Sequence, residues 1–314
     1  MADSMTTGAR DEVWPSLPLD EWRDTYATLH MWTQIVGKIR LVQSPRVNHW
    51  WQVPLYVSAR GLTTTAIPHG TRNFEIEFDF IEHQLVIRTS DGETRTLRLA
   101  PRAVADFYRE LMATLGALGL EVKIRAIPDE VPNPIPFAED YEHASYDAEY
   151  VNRLWRILTQ SDRVLKEFRS RFTGKVSPVH FFWGSFDLAV TRFSGRRAPD
   201  RAGADSINRE AYSHEVISHG FWPGSGNIQM PAFYSYTTPE PAGLPEAAIR
   251  PAGAFYNPPT GGFILPYDDV RQAAAPALVW MEFLQSTYEA GANLAKWDRA
   301  ALERAPTSAA PSAR

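Results

Sequence analysis

The chain has 314 residues, with 44% hydrophobic and 22% charged, an ordinary globular balance with room for one large domain or two smaller ones. A formal charge of −5 argues against the basic footprint that nucleic-acid binding needs, and no apolar run reaches the length of about 18 residues that marks a membrane-spanning helix. The total absence of cysteine excludes disulfides, thiolate metal sites, iron–sulfur clusters and a cysteine nucleophile. MADSMTTGARDEVW has no apolar core of a secretory signal, so the expected location is cytoplasmic.

Residues 1–12 are expected to be disordered. LDEWRDTYATLHMWTQIVGKIRL predicts a helix from Asp20 to about Leu41, with Asp20 as cap and Glu21 and Asp24 in the first turn, where the dipole favours them. Trp22, Tyr26, Leu29, Thr33, Val36 and Arg40 form one mostly apolar stripe, while His30, Gln34 and Lys38 share a face expected to be solvated. From Asn48 the period becomes two, predicting strands over 49–60, 62–67, 73–80, 84–90 and 94–99, with SDGET as a hairpin turn. APRAVADFYRELMATLGALG predicts a helix ended near Gly119, followed by a short strand, Glu121 to Ile124.

The proline-rich IPDEVPNPIPFAED suits an extended connector. Asp147 to Arg171 predicts a second amphipathic helix, and VHFFWGSFDLAVTRFSG (179–195) one long strand. SGRRAPDRAGADS is a polar, mobile loop. EAYSHEVISHGFW, QMPAFYSYTTPEP and GGFILPY read as strands, and residues 239–262 as a long Pro/Gly loop of the kind that often carries function. Asp269 to Trp297 predicts a last helix. The fold class is therefore α+β: two similar halves, each a mostly antiparallel sheet with flanking helices. The boundaries are a disordered N-terminus at 1–12, a first half at 13–125, a connector at 126–146, a second half at 147–298 and a disordered tail at 299–314.

Laid over each other without gaps, NHWWQVPLYVSARGLTT (48–64) and VHFFWGSFDLAVTRFSG put His49 on His180, Trp50 and Trp51 on Phe181 and Phe182, and Leu55 on Phe186. Either this is a duplication with a pseudo-two-fold or a chance match of two hydrophobic alternations. Strand parity then separates a core face, ending in His49 or His180, from a face mixing rings with polar groups. That second face carries Tyr56 and Arg60 in one half and Trp183, Asp187 and Thr191 in the other. A solvated strand face favours Thr, Lys and Glu over large rings, so these residues are expected to line a wet, aromatic-walled pocket.

Asp187 and Glu215 either form a carboxylate pair for acid–base work or one of them pairs with Arg192 or Arg60 across the sheet; a carboxylate flanked by Phe186, Leu188 and Trp183 must be partnered if buried. Asp187 or Glu215 is the expected general base, with His214 beside it, and Arg60 or Arg192 the anion anchor. The expected catalytic residues are Asp187, Glu215 and His214; the expected ligand-binding residues are Trp183, Thr191, Arg192, Tyr56, Arg60 and His180. In SHEVISHGFW, His214 and His219 are five apart on a predicted strand, hence on opposite faces and roughly 16 Å apart, unlike a zinc-protease helix. No metal ligand is assigned, the cofactor is unknown, and neither phosphate-binding glycine motif nor the nucleophile elbow G-x-S-x-G occurs.

WPSLPLDEWRDTYATLHMWTQIVGKIRL, NHWWQVPLYVSARGLTT, HFFWGSFDLAVTRFSGR and GFWPGSG…PAFYSYTTPEP resemble a bacterial family catalogued as domain of unknown function 5996, over about Trp14 to Trp297. The resemblance implies a stand-alone bacterial protein and supplies no activity, cofactor or catalytic residue. The residues themselves point to a protein that binds a small polar or cyclic molecule in an aromatic-walled cleft, with carboxylate acid/base chemistry if it is an enzyme. The alternatives are a non-catalytic protein-interaction module and a metal-dependent hydrolase or oxygenase using His180, His214 and a carboxylate. No membrane or nucleic-acid partner is expected, and the oligomeric state stays open.

Overall fold

The computed structural model describes residues 12–305; the disorder expected for 1–11 and 306–314 lies outside the described residues. By compactness the chain divides into two units. The first is Met1–Ser161 with His180–Leu188 and Phe221–Pro231, and the second is Asp162–Val179, Ala189–Gly220 and Ala232–Arg314. The architecture is α+β, with two six-stranded antiparallel sheets.

Helix α1 spans Leu19–Gln43, with Pro18 rather than Asp20 at its cap, and Asp20 and Glu21 inside the first turn. The sheet that follows comprises β1 (Tyr56–Val57), β2 (Gly61–Thr63), β3 (Ile67–His69), β4 (Arg72–Asp79), β5 (Gln84–Thr89) and β6 (Thr94–Arg98), in the order β1-β2-β4-β5-β6 with β3 also on β4. The strand expected over 49–60 does not form. Asn48–Trp50 is a 3-10 turn, with His49 at φ 58 and Trp50 at φ 61; of the expected span only Tyr56 and Val57 join the ladder, while Leu55 makes a single antiparallel bridge to Phe181. Two consecutive left-handed residues cannot continue a ladder, and Pro54 offers no N–H. Gly61 is required where it stands: a Cβ there would lie 1.8 Å from the Phe78 carbonyl oxygen.

Helix α2 (Val104–Ala117) is ended by Gly119 at φ 68. The segment expected as a strand at Glu121–Ile124 has no ladder partner. The unit's core packs Trp32 against Phe107, ring centroids 4.7 Å apart, with Ile35, Phe78 and Leu111 also buried. Helix α3 (Ala148–Ser170) starts at Asp147, whose carboxylate accepts the N–H groups of Glu149 (2.9 Å) and Tyr150 (3.2 Å).

The long strand expected over 179–195 is broken into β7 (His180–Phe182) and β8 (Asp187–Arg197) by a turn in which Phe186 has φ 57. The alternation of faces stops at Trp183, so the parity that grouped Trp183 with Asp187 does not apply. After β8 come α4 (Ser206–Ala211), capped by Asp205, then β9 (His214–Trp222) and β10 (Ala232–Thr238). They are followed by β11 (Phe255–Asn257) and β12 (Gly262–Pro266). This sheet runs β11-β12-β10-β9-β8-β7.

The single helix expected after it is two, α5 (Tyr267–Arg271) and α6 (Pro276–Leu294), because Pro276 restarts the helix at its first position. The expected tail begins with a short helix, α7 (Arg299–Leu302), and Glu303 then bridges to Phe172. In the second unit Phe233 stacks on Trp280, centroids 4.1 Å apart, above a buried floor that includes Val190, Ile217 and Leu284.

Candidate functional site

The residues singled out by pattern fall in both units. In the first, Asp187 accepts a hydrogen bond from the Ser185 hydroxyl. Its charge adds to the burial that pushes the Tyr26 phenol up, against the opposing bond to Trp222. Trp183 is buried, donating its indole N–H to the Val53 carbonyl at 2.9 Å. His180 is buried edge-on to Trp51 and to Tyr56, centroids 5.8 and 5.7 Å away. Arg60 turns instead to Asp79, Nε to Oδ2 2.5 Å, because the β2–β4 register sets its neighbour Gly61 opposite Asp79. It is not the partner of Asp187 that the sequence suggested.

In the second unit the Thr191 hydroxyl meets that of Ser218 at 2.9 Å, and Glu215 is held by Arg196 at 2.7 Å. His214 contacts the Ser213 hydroxyl at 3.1 Å; burial pulls its pKa down, helped by the Lys175 and Arg197 cations. Arg192 cannot serve as an anion anchor. It is 1% exposed, sealed between Phe168 and Tyr288 with its carbon 3.4 and 4.4 Å from their ring centroids, and donates to the Phe168 carbonyl. As the spacing implied, His214 and His219 lie on a strand, and His219 is buried against Phe168. Among the described residues no group of three or more His, Cys, Asp or Glu is placed to hold a metal ion.

The face expected to be solvated is internal. Gln34 and Lys38 are buried, and Lys38 pairs with Asp129, which also accepts Arg125 at 2.7 Å. The Gln34 amide brackets the Asp129 backbone, donating to its carbonyl at 2.7 Å and accepting its N–H at 2.8 Å. His30 Nε2 faces the carbonyls of Trp183 and Gly184 at 3.0 and 2.9 Å. These polar groups pin the proline-rich connector to α1, a satisfied network rather than a wet surface. The i, i+4, i+8 spacing marked the shared face; it carried no information about the loop that covers it.

A cleft lies wholly within the second unit, a cavity of about 520 Å³ open to solvent. From β10 it is lined by Tyr236, Thr237 and Thr238; in that strand Phe233, Ser235 and Thr237 are buried, while Tyr234 shares the less buried face with Tyr236. Tyr234 and Tyr236 stack nearly parallel, 6.1 Å apart at 11°. Gly262 sits opposite, where a Cβ would come within 2.5 Å of the Ser235 carbonyl oxygen, so β12 pairs closely with β10. The carboxylate of Asp205 accepts the N–H groups of Ile207 (2.8 Å) and Asn208 (2.9 Å), starting the turn that presents Tyr212. The Tyr212 and Tyr236 hydroxyls meet at 3.0 Å, and the Arg201 guanidinium lies over the Tyr212 ring, 4.0 Å from its centroid.

Asp200 and Glu240 also line the cleft. Glu240 accepts the Tyr256 hydroxyl at 2.6 Å, and this bond, with burial, pushes the Tyr256 pKa up to about 12. The cleft therefore offers ring faces for stacking, a phenol pair that donates and accepts, a guanidinium donor and carboxylate acceptors. Its walls come from the two stretches whose composition set them apart, 194–206 and 239–262; the second, expected as one loop, holds β11. The tyrosines were overlooked, although the alternation in AFYSYTT already placed Tyr234 and Tyr236 on one face.

No curated protein and no solved structure matches the chain. A family model matches residues 14–304, nearly the whole of it and all of the cleft. The chain belongs to a family of unknown function, DUF5996.

Proposed function

We propose that the protein binds a small, polar, ring-bearing molecule in the tyrosine-walled cleft of its second unit. The observation that carries this is the Tyr212–Tyr236 hydroxyl pair, capped by Arg201, inside a cavity of about 520 Å³. That volume falls in the range of small-molecule pockets, roughly 300–1,000 Å³. The rings line a concavity rather than a flat patch, which favours a small ligand over a protein partner. A cyclic polyol or a nucleoside suits the lining: one ring face stacks on tyrosine, and hydroxyls reach the phenols, Asp200 and Glu240. Asp187 and Glu215 are engaged by Ser185 and Arg196, so the reading is one of binding and assigns no reaction to them.

Saturation-transfer NMR with a panel of monosaccharides and nucleosides tests the proposal. At least one member is expected to receive saturation from the wild-type protein and to lose most of it with Tyr236→Ser. A panel that receives none, or whose signal survives both Tyr236→Ser and Arg201→Ala unchanged, would overturn it.

A further inference from the structure

Arg40 lies in the last turn of α1, is 7% exposed, and among the described residues has no carboxylate within ion-pair reach. A buried guanidinium is normally paired, because removing it from water is costly. Here Nη1 donates to the Thr65 hydroxyl oxygen at 3.0 Å, a further N–H bonds the Tyr56 phenol oxygen, and the guanidinium lies 5.4 Å from the Tyr56 ring centroid. Nε–H is buried without any acceptor. Arg40 does not spend its donors on the exposed carbonyls of its own helix end, the ordinary use of a cation in that position.

The surroundings repeat the imbalance. Tyr56 and Thr65 each accept from Arg40 through oxygen, which leaves both hydroxyl protons to be donated elsewhere. Thr65 is exposed and β-branched, yet held at φ 57. A β-branched residue in the left-handed region is a true outlier, and such strain collects at ligand sites. Its N–H is fixed by Thr63 Oγ1 at 2.8 Å, so the strained turn holds the hydroxyl beside the guanidinium. Around one guanidinium, a buried N–H and two hydroxyl protons are thus left with no acceptor among the described residues. From this convergence we infer that Arg40, Tyr56 and Thr65 form an oxyanion-binding site in the first unit, taking a carboxylate or phosphoryl group entering past Thr65. The site is independent of the tyrosine-walled cleft.

Calorimetric titration of the full chain with sodium acetate and with sodium phosphate, against sodium chloride at equal ionic strength, tests it. Saturable heat with acetate alone assigns a carboxylate, with phosphate a phosphoryl group. Tyr56→Phe, which removes one hydroxyl and keeps the ring, is expected to weaken that binding about five-fold or more, as loss of one charge-assisted hydrogen bond does. Arg40→Gln is expected to abolish it. No saturable heat with either anion overturns the inference. So does binding that Tyr56→Phe leaves unchanged, which would mark an adventitious ion only.

Discussion

The imidazole of His30 rests against the Trp183 and Gly184 carbonyls, and burial, opposed by those carbonyls, brings its pKa down from 6.5 to about 4. The folded protein therefore holds this proton less tightly than the unfolded chain. The stability contributed by the neutral ring is complete above about pH 6.5 and is lost as pH falls toward 4. A gap of that size amounts to about 3 kcal/mol. His30→Gln, measured by urea denaturation, is expected to lose less stability between pH 7 and pH 4.5 than wild type; an equal loss would mean that other groups carry the acid sensitivity. Arg192 gives a second test. Lysine cannot stack between Phe168 and Tyr288 or keep the planar donor geometry, so Arg192→Lys is expected to cost about 2 kcal/mol. Arg192→Met, which buries no charge, is expected to cost less. The reverse order in chemical denaturation would contradict the cage.

At the scale of elements, α1 is shaped by what lies over it. A Cβ on Gly37 would sit 2.3 Å from the Trp183 ring, and that ring is fixed through its bond to Val53. Alanine at this position gains about 1 kcal/mol of helix propensity, whereas overpacking costs about 1–3 kcal/mol and the indole bond breaks as well. Gly37→Ala is therefore expected to lower the melting temperature despite its better propensity, and a rise would contradict the packing. The long helices were legible because the 3.6-residue period survives burial: α1 and α3 start and stop within a few residues of where the apolar spacing put them. The aromatic stretches at 48–60 and 179–195 were not. Trp, Phe and His are buried in a turn as readily as in a strand, and the left-handed backbone at His49, Trp50 and Phe186 leaves no mark in an alternating pattern. The hinge between α5 and α6 was legible in principle, from Pro276.

At the scale of the molecule, each unit has a core and an array of polar groups that this core does not absorb. In the first unit these are Arg40, Tyr56 and Thr65; in the second they are Tyr212, Tyr236, Arg201 and the carboxylates of Asp200 and Glu240. Composition pointed to the two loops of the cleft, because polar, glycine- and proline-rich segments between strands have no core to join. It could not show that they meet Tyr236 of β10 in one cleft, which depends on the β10–β12 register and on the α4 turn. Most of the residues named from strand parity are satisfied within their own unit, as Arg60 is by Asp79.

The most direct measurement is a 19F NMR titration of protein labelled with 3-fluorotyrosine, its resonances assigned with Tyr212→Phe and Tyr236→Phe, against the monosaccharides and nucleosides of the binding panel. The cleft predicts saturable shifts of the Tyr212 and Tyr236 resonances, with buried Tyr26 and Tyr288 unmoved. Shifts confined to other tyrosines, or none at saturating ligand, would contradict it.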